Sequence, residues 1–106
     1  MIERKAFFIS GNKLANLMRE KGILVIFDLK NDMVTGVETV NMQDKYVSTE
    51  ELLLFIQRKH VQTIYVSEME SEMTIMFSTY GIGVKTLSSL EDDRLFESLY
   101  LFPPAF

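Results

Sequence analysis

Short apolar runs separated by turn residues and amphipathic stretches constrain the fold of this chain more than any other feature. Five of these runs predict β-strands, at residues 6–9, 23–27, 33–40, 63–66 and 83–87. The second and third strands are joined by Lys30-Asn31-Asp32, a run of turn-forming residues, and we interpret the pair as a β-hairpin. The later strands alternate with helical patterns, which indicates βαβ units.

Apolar residues at helical spacing lie between the strands. The predicted helices span residues 12–21, 48–60 and 70–80, and a last one begins at Ser89. Ser48 and Glu51 fit a capping box at the start of the second helix, and Gly81 is the expected C-terminal glycine of the third. The apolar stripe of the short first helix consists of Leu14, Leu17 and Met18.

This order of elements predicts one α/β domain over residues 1–106. A hairpin followed by βαβ units gives a mixed sheet of about five strands with right-handed crossovers and helices on both faces. We expect the hairpin at one edge and the later strands parallel to the first. A chain of 106 residues can bury one core but is too short for two ordinary domains.

Composition and charge exclude several classes of function. The chain has no cysteine and one histidine, which excludes disulfide scaffolds, Cys/His zinc sites, all-cysteine iron–sulfur ligation and thiol catalysis. A formal net charge of −4 without a basic patch argues against nucleic-acid binding. No apolar run approaches the roughly 20 residues of a membrane helix, and we see no signal-peptide pattern. We therefore expect a cytoplasmic protein without membrane or nucleic-acid partners.

Two short segments and their spacing carry a family resemblance. Residues 25–28 read Val-Ile-Phe-Asp, a strand ending in aspartate, and residues 81–84 read Gly-Ile-Gly-Val after a helix. With the order of elements over about residues 5–102, they resemble the dinitrogenase iron–molybdenum cofactor-binding family. The resemblance implies an α/β domain with a ribonuclease H-like motif.

The chain departs from that family where the family's ligand residues are expected. Counting back from Asp28, the family's His-Phe-Gly segment falls on Leu17-Met18-Arg19. The family's Gly/His-rich stretch and its Gly-rich turn correspond to residues 41–45 and 68–72, which contain neither residue type. The resemblance therefore implies the fold alone; no cofactor-binding residue carries over and we expect no cofactor.

Acidic residues mark a candidate cation site. Glu68 and Glu70 follow the fourth predicted strand, at the edge where open α/β sheets bind ligands, and Asp28 is a third candidate. Carboxylates of this kind hold hard cations such as Mg²⁺. The alternative is that Glu68, Glu70 and the adjacent Glu72 are helix-start acids that complement the helix dipole.

Three further features favour structural roles. Gly81 and Gly83 come after a helix and before a strand, the reverse of a phosphate loop, and indicate a helix stop. His60 lies between a helix and a strand, away from the acidic residues, as a surface or capping histidine. A helical face is shared by Met69, Met73 and Met76, whose thioethers are soft ligands but more commonly fill cores.

The C-terminal segment is apolar at consecutive positions. Its candidate interaction residues are Tyr100, Leu101, Phe102 and Phe106. One helix face cannot bury them all, so this surface either covers the sheet or docks on a partner. The leading hypothesis is a non-enzymatic binding or interaction module, acting as a homodimer or with another protein through this tail. The alternative is a metal or small-ligand carrier that uses the acidic edge.

Overall fold

The computed structural model describes residues 2–42 and 48–86. The strands are β1 (Glu3–Ser10), β2 (Lys13–Leu14), β3 (Ile23–Lys30), β4 (Met33–Asn41), β5 (Thr63–Tyr65) and β6 (Gly83–Lys85). The helices are α1 (Thr49–Arg58) and α2 (Ser71–Thr79). The helix predicted from Ser89 and the C-terminal residues Tyr100, Leu101, Phe102 and Phe106 lie outside the described residues.

The six strands form one mixed sheet in the order β4-β3-β1-β5-β6, with β2 paired only to β1. β3 is antiparallel to β1 and β4, whereas β5 is parallel to β1 and β6. The predicted α/β fold is therefore confirmed, with the hairpin strands together at one edge and the later strands parallel to the first. β1 is the central strand.

Both described helices pack against the same face of the sheet. Leu52, Leu53 and Ile56 of α1 and Phe77 of α2 belong to one buried cluster with alternate residues of β1, β3 and β5. The two crossovers step across the sheet in one direction, and right-handed connections then place both helices on one face. The prediction of helices on both faces depends on the helix from Ser89, which lies outside the described residues.

The prediction of a helix over residues 12–21 is wrong. Gly11 has φ +68°, and its turn folds Lys13–Leu14 back against the end of β1 as β2. Leu14 packs on one face of the sheet and Leu17 joins the buried cluster on the other, so the two do not share a helical stripe. Asn16 stabilises the following turn, because its side-chain oxygen accepts a hydrogen bond from the backbone N–H of Met18 at 3.0 Å.

The β3–β4 hairpin follows the predicted turn. Asn31 and Asp32 have φ values of 54° and 64°, as a two-residue type I′ turn requires. Register pairs Asp28 with Gly36 but Leu29 with Val34, which leaves one residue of β4 extra and defines a β-bulge. The extra residue is Thr35, whose hydroxyl donates to the Asp28 carbonyl oxygen at 3.2 Å.

The sheet face away from α1 and α2 carries an aromatic cluster. Phe7 stacks on Tyr65 with ring centroids 4.3 Å apart, and Phe27 meets Phe7 edge-on at 5.5 Å. The Lys85 ammonium lies 5.7 Å from the centre of the Tyr65 ring. Phe7, Leu14 and Tyr65 are buried, so both faces of the central strands contribute to the core.

Candidate functional site

The carboxyl ends of β1 and β5 form the position where an open α/β sheet ordinarily binds ligands. On the path β4-β3-β1-β5-β6, the next strand after β1 is β3 on one side and the next strand after β5 is β6 on the other, so the strand order reverses between β1 and β5. Such a switch point opens a crevice at the strand ends. Any ligand site of the kind predicted at Glu68 and Glu70 would be expected here.

Residues 15–17 occupy this crevice. The backbone N–H of Ala15 donates to the Phe8 carbonyl oxygen, and the N–H of Ser67 donates to the Ala15 carbonyl oxygen, both at 3.0 Å. Ala15 and Leu17 are 0% and 1% exposed. The segment therefore acts as a plug that satisfies backbone groups of β1 and of the residues after β5. We call residues 15–17 the plug.

Glu68 and Glu70 lie outside the plug in exposed positions. Glu70 is the residue before α2, and its carbonyl oxygen accepts the N–H of Thr74 at 3.0 Å. The Arg19 guanidinium lies 4.0 Å from the Glu70 carboxylate, with both side chains about three-quarters exposed. These acids sit where the N-terminal dipole of a helix favours negative charge.

Asp28 does not join these acids. Asp28 pairs with Arg4 of β1, and the next residue of β1, Lys5, pairs with Thr63 at the start of β5. Asp28 is therefore level with the start of β5. Glu68 follows Thr63 by five residues, which is about 16 Å at 3.3 Å per residue. Asp28 therefore lies at the opposite end of the sheet from Glu68 and Glu70, because β3 is antiparallel to β1 and β5 is parallel to it. Within residues 2–42 and 48–86, no three His, Asp or Glu side chains are grouped to hold a metal ion.

Asp28 belongs instead to an ionic network at the opposite end of the sheet, formed by Arg4, Asp28, Glu38 and Lys59. Arg4 Nε lies 2.6 Å from Asp28 Oδ1, and Arg4 Nη2 lies 3.0 Å from Glu38 Oε1. Lys59 Nζ lies 2.6 Å from Glu38 Oε2. The four side chains are 20–39% exposed, and two positive charges balance two negative ones.

The ionic network also caps the C-terminal end of α1. Arg4 Nη1 donates to the carbonyl oxygen of Lys59, the C-terminal capping residue of α1. A cation at this position is favourable because the C-terminal carbonyls carry partial negative charge. Gly36 makes room for the pairing: a Cβ atom there would lie 3.0 Å from Asp28 Oδ2. One guanidinium thus connects β1, β3, β4 and α1.

Hydrogen bonds from Lys59 and Arg4 hold the pKa of Glu38 below its ordinary value. The charges of the network are satisfied by one another, which is the arrangement of a structural cluster. Our sequence analysis missed this cluster. The available signal was the alternation of Arg4 with the apolar Ala6 and Phe8 in β1, and of Glu38 with the apolar Val40 in β4.

The remaining candidate residues lie at helix ends or pack against the core. His60 is exposed, has φ +60° and follows the end of α1, with its N–H donating to the Gln57 carbonyl oxygen. Met69 and Met73 pack against the core as expected, but Met76 is 41% exposed. Gly81 has φ +79° and ends α2, which confirms the predicted helix stop.

None of the described helices is long and apolar enough to cross a membrane.

No protein-family model matches the sequence, and no curated protein matches it. Four chains of solved structures match this fold. In the crystal structure of PH0822, the match has 19% sequence identity and a TM-score of 0.65 over 78% of this chain and 75% of that chain. This similarity establishes that the two chains share an α/β fold.

Proposed function

We propose that this chain is a small non-catalytic binding or interaction module, a divergent member of the dinitrogenase iron–molybdenum cofactor-binding family without a metal-cluster site. One observation carries the proposal. The position that the resemblance aligns with the family's histidine is Leu17, which is 1% exposed within the main core. An apolar side chain fixed in the core cannot act as a metal ligand, and Leu17 is itself part of the plug that fills the crevice.

The distribution of carboxylates supports the same proposal. Asp28 and Glu38 are paired with Arg4 and Lys59 in the ionic network. Glu70 lies 4.0 Å from the Arg19 guanidinium, with both side chains about three-quarters exposed. Asp28 and Glu38 are therefore already paired with cationic side chains of the chain itself.

The proposed partner is a protein, either a second copy of the chain or another protein. The proposed contact residues are Tyr100, Leu101, Phe102 and Phe106, which lie outside the described residues, so the support is their consecutive apolar sequence. The cytoplasmic location expected from the sequence stays a prediction.

The proposal predicts that the purified protein binds no cluster. The test is iron and sulfide analysis before and after anaerobic reconstitution with ferrous iron and sulfide, read by visible absorption. We expect no stoichiometric iron and no cluster absorption. A stoichiometric cluster that resists desalting would overturn the absence of a metal-cluster site.

The rival function, a metal or small-ligand carrier at the acidic edge, is tested in the same samples. Mg²⁺ or Mn²⁺ should leave the thermal midpoint unchanged, because among the residues that the structure describes Glu68 and Glu70 belong to no group of three side chains able to hold a metal ion. A saturable shift that disappears in Glu68→Gln, but persists in the control Glu3→Gln at the other end of the sheet, would support the rival instead.

A further inference from the structure

The sheet face away from α1 and α2 is buried at its centre, although neither described helix packs on it. Tyr65 and Phe7 are 0% and 3% exposed. The residues that pack around them all belong to strands of the sheet: Ile9, Leu14 and Phe27. Side chains on this face point away from the sheet, so complete burial requires a further layer over them. Burial of the aromatic cluster therefore calls for a covering layer other than the strands and the two described helices.

Exposure along one paired row of residues locates this covering layer. The row crosses β5, β1, β3 and β4 through Tyr65, Phe7, Val25 and Thr39. Tyr65 and Phe7 are buried, and Val25 is half-buried. Thr39, at the edge of the sheet, is exposed. A helix is about 10 Å wide and strands lie about 4.8 Å apart, so one helix covers about two strands. The pattern of exposure fits a single helix over β5 and β1.

Residues 87–106 begin beside this position. Thr86 is the last residue of the second described range. The ammonium group of the preceding residue, Lys85, lies 5.7 Å from the centre of the Tyr65 ring. The chain therefore leaves the sheet next to the aromatic cluster, with enough residues after this point for one helix.

Residues 43–47, the internal stretch outside the described residues, begin and end on the other face. They join Met42 to Ser48. Met42 belongs to the buried cluster that contains the core residues of α1 and α2, and Ser48 caps α1. A stretch of this length between two such ends is poorly placed to cover the aromatic cluster. The position of the chain therefore favours residues 87–106 as the covering layer.

Residues 89–99 have the pattern of a helix with one apolar face. At 3.6 residues per turn, Leu95, Phe96 and Leu99 fall within one stripe, as a helix packed on a sheet requires. Leu101 falls on the opposite side of the same helix. Ser89 followed by an acidic residue three positions later fits the capping pattern that begins a helix.

Charge favours the same placement. Lys5 stands on the face of the aromatic cluster, because it alternates with Phe7 along β1. Lys85 stands on this face as well, because it is paired with Tyr65. Residues 89–99 contain one basic residue and four acidic ones, which are Glu91, Asp92, Asp93 and Glu97. The excess of negative charge complements the two lysines of the face that the helix would cover.

We propose that residues 89–99 form a helix that docks over β5 and β1, with Leu95, Phe96 and Leu99 on the aromatic cluster. The occupant of this sheet face is a segment of the chain itself. The docking goes beyond the proposed function and does not depend on it, because the proposed partner contact uses the residues that follow: Tyr100, Leu101, Phe102 and Phe106.

Nuclear Overhauser effects in the isotope-labelled full chain test the docking directly. The methyl groups of Leu95 and Leu99 should show contacts with the ring protons of Tyr65 and Phe7. They should show none with Ile75, an exposed residue of α2 on the other side of the molecule. A sample that mixes labelled and unlabelled chains separates contacts within one chain from contacts between two copies.

Leu99→Ser and Leu101→Ser are matched variants, since they make the same change on opposite sides of the proposed helix. At a concentration where the chain is monomeric, Leu99→Ser should lower the thermal midpoint by roughly 10 °C, because a core leucine is lost. Leu101→Ser should lower it by less than about 3 °C. Leu99→Met keeps the apolar volume and should stay within about 5 °C of the wild type.

Two outcomes would overturn the docking: no contact between either leucine and the aromatic cluster, or equal thermal midpoints for Leu99→Ser and Leu101→Ser. Contacts seen only between two copies would assign the cover to a second chain and reject docking within one chain. If Leu99→Ser does not fold, the contacts in the wild type decide. The association state of Leu101→Ser tests the proposed partner contact separately, so either proposal can fail alone.

Discussion

At the carboxyl ends of β1 and β5, the plug covers the end of the sheet with its backbone and two fully buried apolar side chains. At the other end, the sheet is covered by the ionic network, whose four side chains remain 20–39% exposed. The plug is held by burial and by backbone hydrogen bonds. The ionic network is held by paired charges in partial contact with water.

The two ends of the sheet should therefore respond differently to a change in pH or salt concentration. Burial of apolar side chains involves no group that titrates, whereas half-exposed ion pairs are screened by salt and titrate. We therefore expect the plug to contribute more to the free energy of unfolding, and the ionic network to carry more of its dependence on pH.

The largest expected effect follows from shortening the plug's core side chain. Leu17→Ala should lower the free energy of unfolding by about 3 kcal/mol, since a fully buried leucine loses its contacts and leaves a cavity. Urea denaturation followed by circular dichroism measures the change. The neighbouring Met18→Ala, at a position 38% exposed, is the control and should cost less than about 1 kcal/mol. Equal losses in the two variants would show that the plug is not a core element.

A pair of glycine substitutions compares the two ends directly. A Cβ atom at Gly22, next to the plug's end of β1, would lie 2.2 Å from the Ile9 carbonyl oxygen, which is fixed backbone. A Cβ atom at Gly36 would lie 3.0 Å from an Asp28 carboxylate oxygen, which can rotate away. Gly22→Ala should therefore destabilise by about 3 kcal/mol and Gly36→Ala by about 1 kcal/mol, measured by thermal and urea unfolding. A reversed order would contradict the rigidity assigned to the two ends.

The smallest expected effect is the acid dependence of the ionic network. Because the pKa of folded Glu38 is lowered, its contribution is complete above the unfolded value of about 4.3 and is lost as pH falls through the lowered one. Glu38→Gln removes this contribution, so its stability should fall less than that of the wild type between about pH 5 and pH 3. Urea denaturation at several pH values measures the two curves, with Glu3→Gln as the control. If the free energy of unfolding fell equally with pH in the wild type and in Glu38→Gln, the ionic network would not contribute to the acid dependence.

Local patterns were sufficient to predict most elements. The β3–β4 turn and the start of α1 depend on neighbouring residues: Asn31 and Asp32 adopt the turn's positive φ, and Ser48 accepts the N–H of Glu51 at 3.2 Å. The segment after β1 could not be predicted this way. Leu14 and Leu17 have helical spacing, but the turn at Gly11 lets each reach a different face of the sheet.

The candidate site was harder to predict because it depends on strand direction. Glu68 and Glu70 could be placed at the end of β5, since that follows from the order of elements. Asp28 was a third candidate by residue type, whereas the antiparallel direction of β3 puts it beside Arg4. No local pattern links residues 4, 28, 38 and 59, because their contacts arise from register between strands.

The class of fold, the hairpin, the capped helix and the absence of cysteine chemistry could be predicted, because each depends on composition or on residues close in the chain. By contrast, only the folded chain shows that residues 15–17 fill the ligand crevice and that Asp28 pairs with Arg4. Both depend on contacts between residues far apart in sequence, which form only when the strands adopt their order, direction and register.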